Sequence, residues 1–370
     1  MKKYLFLLAA AATITACSND DEQSSSVAVA DDNISFVIDV PGMTRATNDG
    51  TMRSADGNFY IWADQVEQVN ESSVLHEGFI NAWQMETADD ASKLKTTGST
   101  YKWPAVNRLR FYAIHGNFSG TNSTITNNVS PFPKATLTEE EAAVAENLGP
   151  LTHTVSTIQT TSNAGNMNYQ QSDLLYAVLP TTGIVQPVPL HFYHLMSKVV
   201  IKIVKGEGIT LDELNGATVK IVKVKNKVNF MPKKLSLTST QTSGLLKNDV
   251  SELTTYATRT ETLASMLSLP AQDLVDIDVS TTVNETASGT KTEAAIIVPQ
   301  EFDAENTTSG IQIMWSGKTI TVPFRVNFEA GKQYTYNITL NHVGTSYGFS
   351  PTVSSWGEEE ERAIDVKSGS

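Results

Sequence analysis

Short segments in which apolar and polar residues alternate recur along the chain, and they constrain its fold more than any other feature. The clearest are Lys198–Lys205 (KVVIKIVK) and Gln333–Asn341 (QYTYNITLN). Alternation with a period of two places the apolar side chains on one face of a β-strand. Only 18% of the residues are charged, while threonine, serine and valine are abundant, which favours strands and polar turns over long helices. The pattern therefore predicts a mainly β fold.

Further segments have the same character and are predicted as strands: Ile34–Val40, Asn58–Ala63, Gly78–Gln84, Leu109–His115, Ser172–Leu179, Val188–His194, Ala294–Pro299, Gly310–Trp315 and Lys318–Phe328. Ser316 and Gly317 predict a tight turn between the last two. Ala217–Val228 and Met231–Thr238 are predicted to form a hairpin. The chain thus has many strands at short spacing, which is typical of β-sandwiches.

Two capping boxes predict the few short helices. Thr138–Glu141 precedes one predicted helix, with stop signals at Gly149 and Pro150. Thr210–Glu213 precedes the other, which Gly216 ends.

The length of 370 residues is enough for two domains of ordinary size. A joint rich in proline and glycine at residues 182–188 suggests where they divide. We therefore expect an N-terminal β-sandwich at residues 34–185, with a first strand at 34–40 and a polar loop at 41–57. A second β-sandwich is expected at residues 186–370.

Residues 1–16 have the pattern of a secretory signal, with two lysines, an apolar stretch and then small residues. The chain's only cysteine, Cys17, follows at once, so signal cleavage is expected between Ala16 and Cys17. The step Ile14–Cys17 resembles the lipobox of bacterial lipoproteins, in which the cysteine carries acyl chains that anchor the protein to a membrane. An ordinary secreted protein with an incidental cysteine is the alternative.

Residues 17–33 form an acidic and serine-rich tether, with Asp20, Asp21 and Glu22 close to the cysteine. This stretch resembles the export signal that sends Bacteroidetes lipoproteins to the outer face of the outer membrane. Its composition is equally that of a solvated linker, and the two interpretations are compatible. With no second cysteine, no internal disulfide supports the fold.

The charge and motif content exclude several function classes. The formal net charge is −13 and no cluster of lysine and arginine with interleaved aromatic residues occurs, so nucleic-acid binding is not expected. His191 and His194 would point to opposite faces of a strand, which is wrong for a shared metal. Asp276 and Asp278 would share a face, but a lone carboxylate pair is weak evidence for acid–base catalysis. The remaining histidines show no partner spacing: His76, His115, His153 and His342.

No catalytic, metal-binding or cofactor motif is present, so we expect no enzyme activity, no metal and no cofactor. Trp83, Trp103 and Trp315 could stack on sugars, although tryptophan in a β-sandwich more often belongs to the core.

Four segments carry a family resemblance: Asp173–Ala177, Val188–Ile203, Gly331–Asn341 and Val353–Gly357. In order and spacing they resemble the Bacteroidales fimbrillin family, the FimA- and Mfa-like subunits of type V pili. The resemblance implies two β-sandwich domains of transthyretin-like topology, delivered to the surface as a lipoprotein.

The resemblance also implies proteolytic maturation. In that family a trypsin-like protease cuts after an arginine that follows the first strand. Arg45, followed by Ala46 in the polar loop DVPGMTRATNDG, matches this position, with Arg53 as the runner-up. A plain surface arginine in a loop is the alternative for Arg45.

Cleavage there would remove the lipid, the tether and the first strand. The apolar side chains lost with that strand are those of Ile34, Phe36, Ile38 and Val40. The open groove would then take a strand from another subunit.

The resemblance places the inserting strand near the C-terminus, within residues 350–370. Val353, Trp356, Ile364 and Val366 are its candidate apolar residues. The acidic run Glu358–Glu361 departs from an ideal buried strand and could equally be a charged turn that keeps an edge soluble.

We therefore expect a fimbrial subunit of the outer membrane and fimbrium that contributes to cell adhesion. Its expected partners are other copies or other pilin subunits, a trypsin-like protease, the outer membrane through the lipid, and a host surface ligand. The alternative is an uncleaved surface lipoprotein that anchors a pilus or binds host glycan or protein.

Overall fold

A computed structural model describes residues 33–40, 59–67, 74–87, 93–96, 98–105, 108–118, 125, 150–160, 168–182, 187–232, 264–280, 289–342, 346–347 and 351–356. Within these residues the chain is mainly β, as predicted, with two short helices. None of the described helices is long and apolar enough to cross a membrane.

The strands are, in chain order, β1 (Phe36–Asp39), β2 (Phe59–Val66), β3 (Val74–Thr87), β4 (Lys93–Thr96), β5 (Arg108–His115), β6 (Leu151–Thr154), β7 (Ile158–Thr160), β8 (Leu175–Thr182), β9 (Val188–His194), β10 (Ser197–Lys205), β11 (Thr218–Val224), β12 (Lys227–Phe230), β13 (Leu267–Ser268), β14 (Val275–Ser280), β15 (Thr290–Ile297), β16 (Gly310–Trp315), β17 (Lys318–Pro323), β18 (Lys332–Leu340), β19 (Ser346–Tyr347) and β20 (Thr352–Ser355). The helices are α1 (Asn168–Gln171) and α2 (Leu211–Asn215).

Seven strands form a closed barrel in the order β1-β4-β3-β2-β5-β8-β9. Their alternate residues fill its interior, as the period of two requires: Phe59, Ile61 and Ala63 of β2 lie in one core cluster with Leu109, Phe111 and Ala113 of β5. The residues between them face outward. Trp62, Tyr112 and Tyr176 belong to the larger core that the remaining strands build.

The barrel includes a strand that the expected division at residues 185 and 186 assigns to the C-terminal domain. β9 pairs with β1 in parallel and with β8 in antiparallel orientation, so Val188–His194 belongs to the barrel. Proline and glycine are common both in turns inside a domain and in linkers between domains, so this composition does not by itself mark a domain boundary.

Ten of the remaining strands build two five-stranded sheets that share a core, and β13, β12 and β6 form a three-stranded sheet. One has the order β15-β10-β18-β19, with β20 also paired to β18, and the other has the order β17-β16-β11-β14-β7. Ile201 of β10 and Ile338 of β18 lie in the same buried cluster as Ile221 of β11 and Ile313 of β16. The two sheets thus bury apolar side chains in a common core.

The predicted hairpin between Ala217–Val228 and Met231–Thr238 does not form over the described residues. β11 ends at Val224, after a register shift against β14 at which Lys223 has a positive φ of 58°. The chain then changes sheets, and β12 pairs with β6 and β13. Residues 233–238 lie outside the described part of the chain.

Two local predictions are confirmed. Thr210 caps α2 in a complete capping box with Glu213, and Gly216 follows the helix. Hydrogen bonds from Thr210, its backbone N–H first, lower the pKa of the Glu213 carboxyl to about 2. Ser316 and Gly317, both with positive φ, join β16 and β17 in the predicted tight turn. The helix predicted after Thr138–Glu141 lies outside the described residues.

Candidate functional site: the strand that closes the barrel

The first strand, β1, closes the barrel because it pairs on both of its edges. On one side Phe36 and Val37 lie opposite Leu94 and Lys93 of β4 in an antiparallel ladder. On the other side β1 runs parallel to β9, from Phe36 opposite Val188 onward. The Val188 N–H also donates to the Ser35 carbonyl over 2.7 Å. No pairing between β4 and β9 is present in the described ring, so β1 is the link that makes it continuous.

Alternate residues of this strand enter the barrel core. Ile34 and Phe36 are 3% and 1% exposed, and Ile38 and Val40 pack against the same cluster while partly buried. The Phe36 ring meets two aromatic rings edge to face, with centroids 5.7 Å from Trp83 and 5.5 Å from Phe111. Such pairs add to the free energy gained by burying the ring.

Removal of β1 would expose two unpaired strand edges and an apolar groove. The facing edges of β4 and β9 would lose their backbone partners, and an unpaired edge recruits another strand. The volume vacated by Ile34 and Phe36 would open a groove lined by Trp83 and Phe111. The arrangement therefore offers a site for strand addition, in which backbone hydrogen bonds bind and alternate side chains fix the register.

Most of the residues predicted to act in maturation lie outside the described part of the chain. These are Ala16, Cys17, Arg45, Ala46, Arg53, Ile364 and Val366. The four apolar residues of the strand predicted to be removed, Ile34, Phe36, Ile38 and Val40, pack in or against the barrel core.

The C-terminal candidate residues that are described lie on the chain's own second half. β20 pairs in antiparallel orientation with β18, from Lys332 opposite Ser355 to Thr335 opposite Thr352. Val353 is 51% exposed, whereas Trp356 is 2% exposed. The two side chains predicted together as parts of an inserting strand thus have opposite environments.

Trp356 is held by several contacts. Its ring stacks on His194, with centroids 3.8 Å apart and planes inclined by 6°, and the Lys198 Nζ lies 5.8 Å from its ring centroid. Its backbone N–H donates to the Gly331 carbonyl over 2.8 Å. Its buried indole N–H makes no hydrogen bond to the described residues.

Three histidines meet at the start of β8, an arrangement that sequence reasoning missed. His194 Nδ1 lies 2.7 Å from an Asp173 carboxylate oxygen, and both side chains are buried. His115 Nδ1 donates to the Asp173 carbonyl, and His153 Nε2 donates to the Ser172 carbonyl. The histidines are far apart in sequence, so only the tertiary fold brings them together.

Burial keeps two of these imidazoles neutral. Desolvation lowers the pKa of His115 to about 3 and that of His153 to about 4. The hydrogen bonds of His153 agree with a neutral ring, because its Nδ1 accepts from the Asn117 N–H over 3.0 Å and therefore carries no proton. His115, His153 and His194 thus form hydrogen bonds that fix the local structure.

The four segments that carry the family resemblance converge on this junction, which we call the Trp356 junction and define as Asp173, His194, Lys198, Gly331 and Trp356. Besides the contacts above, the Gly331 N–H donates to the Met196 carbonyl over 2.9 Å. The family resemblance therefore pointed to the segments that form the junction. The spacing of these segments in the sequence could not show that they are in contact.

The other candidate residues have structural partners. The Asp276 carboxylate accepts the Lys223 N–H, and the Asp278 carboxylate pairs with Lys220 Nζ at 2.7 Å. Trp83, Trp103 and Trp315 are buried in the cores. No group of three or more histidine, cysteine or acidic residues suited to a metal occurs in the described part of the chain.

Comparison with protein families decides the class of the chain. A model of the fimbrillin-like family matches residues 44–356. The chain belongs to the fimbrillin-like family. This confirms the resemblance seen in the sequence and makes the chain a pilus subunit of the cell-surface fimbrium, which associates with other pilin subunits. A fimbrillin-like subunit is a structural protein and not an enzyme.

Comparison with solved structures gave matches at low sequence identity. A candidate cell adhesion protein from Bacteroides ovatus has a TM-score of 0.51 and 15% identity, covering 89% of this chain and 99% of that chain. One from Bacteroides uniformis has a TM-score of 0.47 and 16% identity, covering 88% and 98%. The tip fimbrial protein Mfa3 from Porphyromonas gingivalis, truncated at its C-terminus, has a TM-score of 0.39 and 9% identity, covering 88% and 100%. A search of curated proteins gave no match.

Proposed function

We propose that this fimbrial subunit is exported as an outer-membrane lipoprotein, is cleaved after Arg45 and polymerises by donor-strand exchange. The observation that carries the proposal is that β1 closes the barrel and fills its core with alternate side chains. A strand in that position can be replaced by another strand of similar pattern. Among the described strands, β1 alone precedes the predicted cleavage loop, so a cut there separates it from all the others.

Delivery depends on Cys17. After signal cleavage between Ala16 and Cys17, acyl chains on the cysteine hold the subunit at the outer membrane, because several chains together anchor stably. The acidic tether of residues 17–33 keeps the folded part away from the lipid surface.

Maturation depends on the loop at residues 41–57. β1 ends at Asp39, and Arg45 follows within a polar, glycine-containing stretch suited to a trypsin-like protease. One cut there detaches the lipid, the tether and β1 together, since β1 is then joined to the subunit by hydrogen bonds and packing alone.

Subunits would assemble by inserting a strand into the groove that β1 leaves. An incoming strand regains the backbone hydrogen bonds of β4 and β9 and refills the space left by Phe36. Because the inserting strand of one subunit enters the groove of the next, the contact is head to tail and does not close, which produces a filament. Such a filament contributes to cell adhesion, as the likeness to candidate adhesion proteins supports.

The alternative is an uncleaved lipoprotein that anchors a pilus or binds host glycan or protein. One observation favours it: β20 is paired within its own sheet and Trp356 is buried, so the described C-terminal segment is closed. The alternative predicts that the subunit keeps its lipid and β1 in the mature fimbrium.

Substitution of the cleavage arginine tests the proposal. We expect Arg45→Ala, made in the full chain and expressed in the exporting cell, to abolish conversion to the shorter form and to remove fimbriae from electron micrographs. Arg53→Ala is the matched control and should leave both unchanged. Normal fimbriae built from uncleaved Arg45→Ala subunits would contradict cleavage-dependent assembly and favour the anchor.

A peptide of β1 tests the groove itself. We expect a synthetic peptide of residues 33–40 to block the assembly of cleaved subunits by refilling the groove. The same peptide with Phe36→Asp should be at least about a hundredfold weaker, because it loses the buried ring and would bury a charge. Equal inhibition by the two peptides would show that the peptide acts elsewhere.

A further inference from the structure

We propose that β20 and Trp356 stay in their own subunit during assembly, so that any C-terminal segment that leaves the subunit begins after Trp356. This inference rests on the proposed strand exchange and specifies which part of the chain can move. It removes residues 351–356 from the candidate inserting segment of residues 350–370.

The first argument is the anchorage of Trp356. The side chain is 2% exposed, stacks on His194 at 3.8 Å and lies beneath the cation of Lys198. The backbone is fixed at the same residue by the hydrogen bond to the Gly331 carbonyl. Ring and backbone would have to be released together for β20 to leave.

The second argument is what release would expose. His194 lies under the Trp356 ring and is hydrogen bonded to the buried Asp173 carboxylate. Departure of the tryptophan would admit water to this pair without giving either side chain a new protein partner. The junction thus favours the state in which Trp356 is seated.

The third argument is independent and concerns the pattern of β20. On the face turned into the barrel, β1 and the residues that flank it carry four apolar side chains at alternate positions, those of Ile34, Phe36, Ile38 and Val40. β20 has the sequence TVSS, in which Val353 and Ser355 share one face and Thr352 and Ser354 share the other. Neither face could refill the space of Phe36 and its neighbours, so β20 is chemically unsuited to the groove.

A disulfide between β20 and β18 tests the inference. Trp356 and Gly331 form a hydrogen-bonded pair, so the next pair, Ser355 and Lys332, is a non-hydrogen-bonded one. Opposed Cα atoms in such pairs are about 4.5 Å apart, within the range that a disulfide spans. The double variant Lys332→Cys and Ser355→Cys would therefore lock β20 in place, with bond formation checked by mobility on a non-reducing gel.

The matched control locks the strand that must leave. Val37 and Lys93 lie opposite each other in β1 and β4, so Val37→Cys with Lys93→Cys retains β1 after cleavage. All variants are made in the full chain and expressed in the exporting cell. Assembly of the released subunits is measured with and without reductant.

The expected result is that the β20-locked subunit assembles with the same yield in both conditions, whereas the β1-locked subunit assembles only with reductant. Truncation after Trp356 should leave a folded subunit that does not donate a strand. A β20-locked subunit that assembles only with reductant would overturn the inference while leaving strand exchange intact. Assembly of the β1-locked subunit without reductant would instead contradict the proposed function, and assembly by the truncated subunit would contradict a donor beyond Trp356.

Discussion

The two terminal strands of the described fold, β1 and β20, have the same length but are held in different ways. β1 pairs along both edges and places its alternate side chains in the barrel core. β20 pairs along one edge with β18, and its own Val353 is half exposed. Its main buried contact, Trp356, lies one residue beyond its end.

The difference indicates how each strand can take part in assembly. Replacement of β1 requires a new strand with a similar apolar pattern, because its loss opens the core. Loss of β20 would expose chiefly the Trp356 junction, which a strand from another subunit could not fill in the same way. A strand that builds the core can be replaced by another of similar pattern, whereas β20, which pairs with β18 and leads into the buried Trp356, is better suited to remain.

The largest effect on stability is expected from Phe36→Ala in the uncleaved chain. Truncating this ring removes its contacts with Trp83 and Phe111 and leaves a cavity, which should lower the free energy of unfolding by about 3–5 kcal/mol. Unfolding by denaturant would measure this loss of free energy. A loss below that of a surface substitution would show that β1 does not carry the barrel core.

Trp356→Ala tests how β20 is held, and it should lower the free energy of unfolding somewhat less than Phe36→Ala does. We expect a loss of about 3 kcal/mol, the low end for a buried tryptophan, because the indole N–H makes no hydrogen bond that would be lost. The variant should also make β20 accessible to hydrogen exchange. Unchanged protection of the Thr352–Ser355 amides would show that β18 pairing alone holds the strand.

A pH dependence is expected from the histidines beside the Trp356 junction. The folded pKa values of His115 and His153, about 3 and about 4, lie below the value of 6.5 for free histidine. The unfolded chain therefore binds more protons below pH 6.5, and the histidine contribution to stability is lost as the pH falls toward 4. Each histidine contributes a slope of up to about 1.4 kcal/mol per pH unit in this window.

His153→Gln isolates this slope from other groups. Burial raises the pKa of Glu293 to about 7, which makes stability fall as the pH rises from 4.5 to 7 and so opposes the histidines. The variant keeps Glu293, and we expect its stability to change less between pH 6.5 and 4 than that of the parent. Parallel curves for the two chains, from unfolding at several pH values, would contradict a neutral buried His153.

The smallest effect is expected from Val353→Thr. The side chain is 51% exposed, and threonine keeps the β-branch that suits a strand, so stability should change by no more than about 0.5 kcal/mol. Assembly should also be unchanged. A strong loss of assembly with unchanged stability would show that Val353 enters a neighbouring subunit, and would remove the contrast between β20 and β1.

Features set by adjacent residues could be predicted from the sequence. The bounds of β16, the capping box of α2 and the turn at Ser316 and Gly317 follow from the spacing of a few side chains. The apolar face of β1 could also be predicted, because the alternation of apolar and polar residues alone identifies it.

Features set by distant pairings could not be predicted. The composition before β9 does not show whether this strand continues the first domain or begins the second, and its pairing with β8 and with β1 assigns it to the barrel. Asp173, His194 and Trp356 meet in the fold, although Trp356 lies more than 150 residues after the other two in the sequence. Contacts between residues that are so far apart leave no local pattern in the sequence.

The intact mass of the subunit recovered from fimbriae tests the central claim most directly. The proposal predicts a chain that begins at Ala46, without lipid and without β1. A mass that begins at acylated Cys17, on cells that carry the processing protease, would contradict strand exchange and leave an anchor or surface-binding lipoprotein.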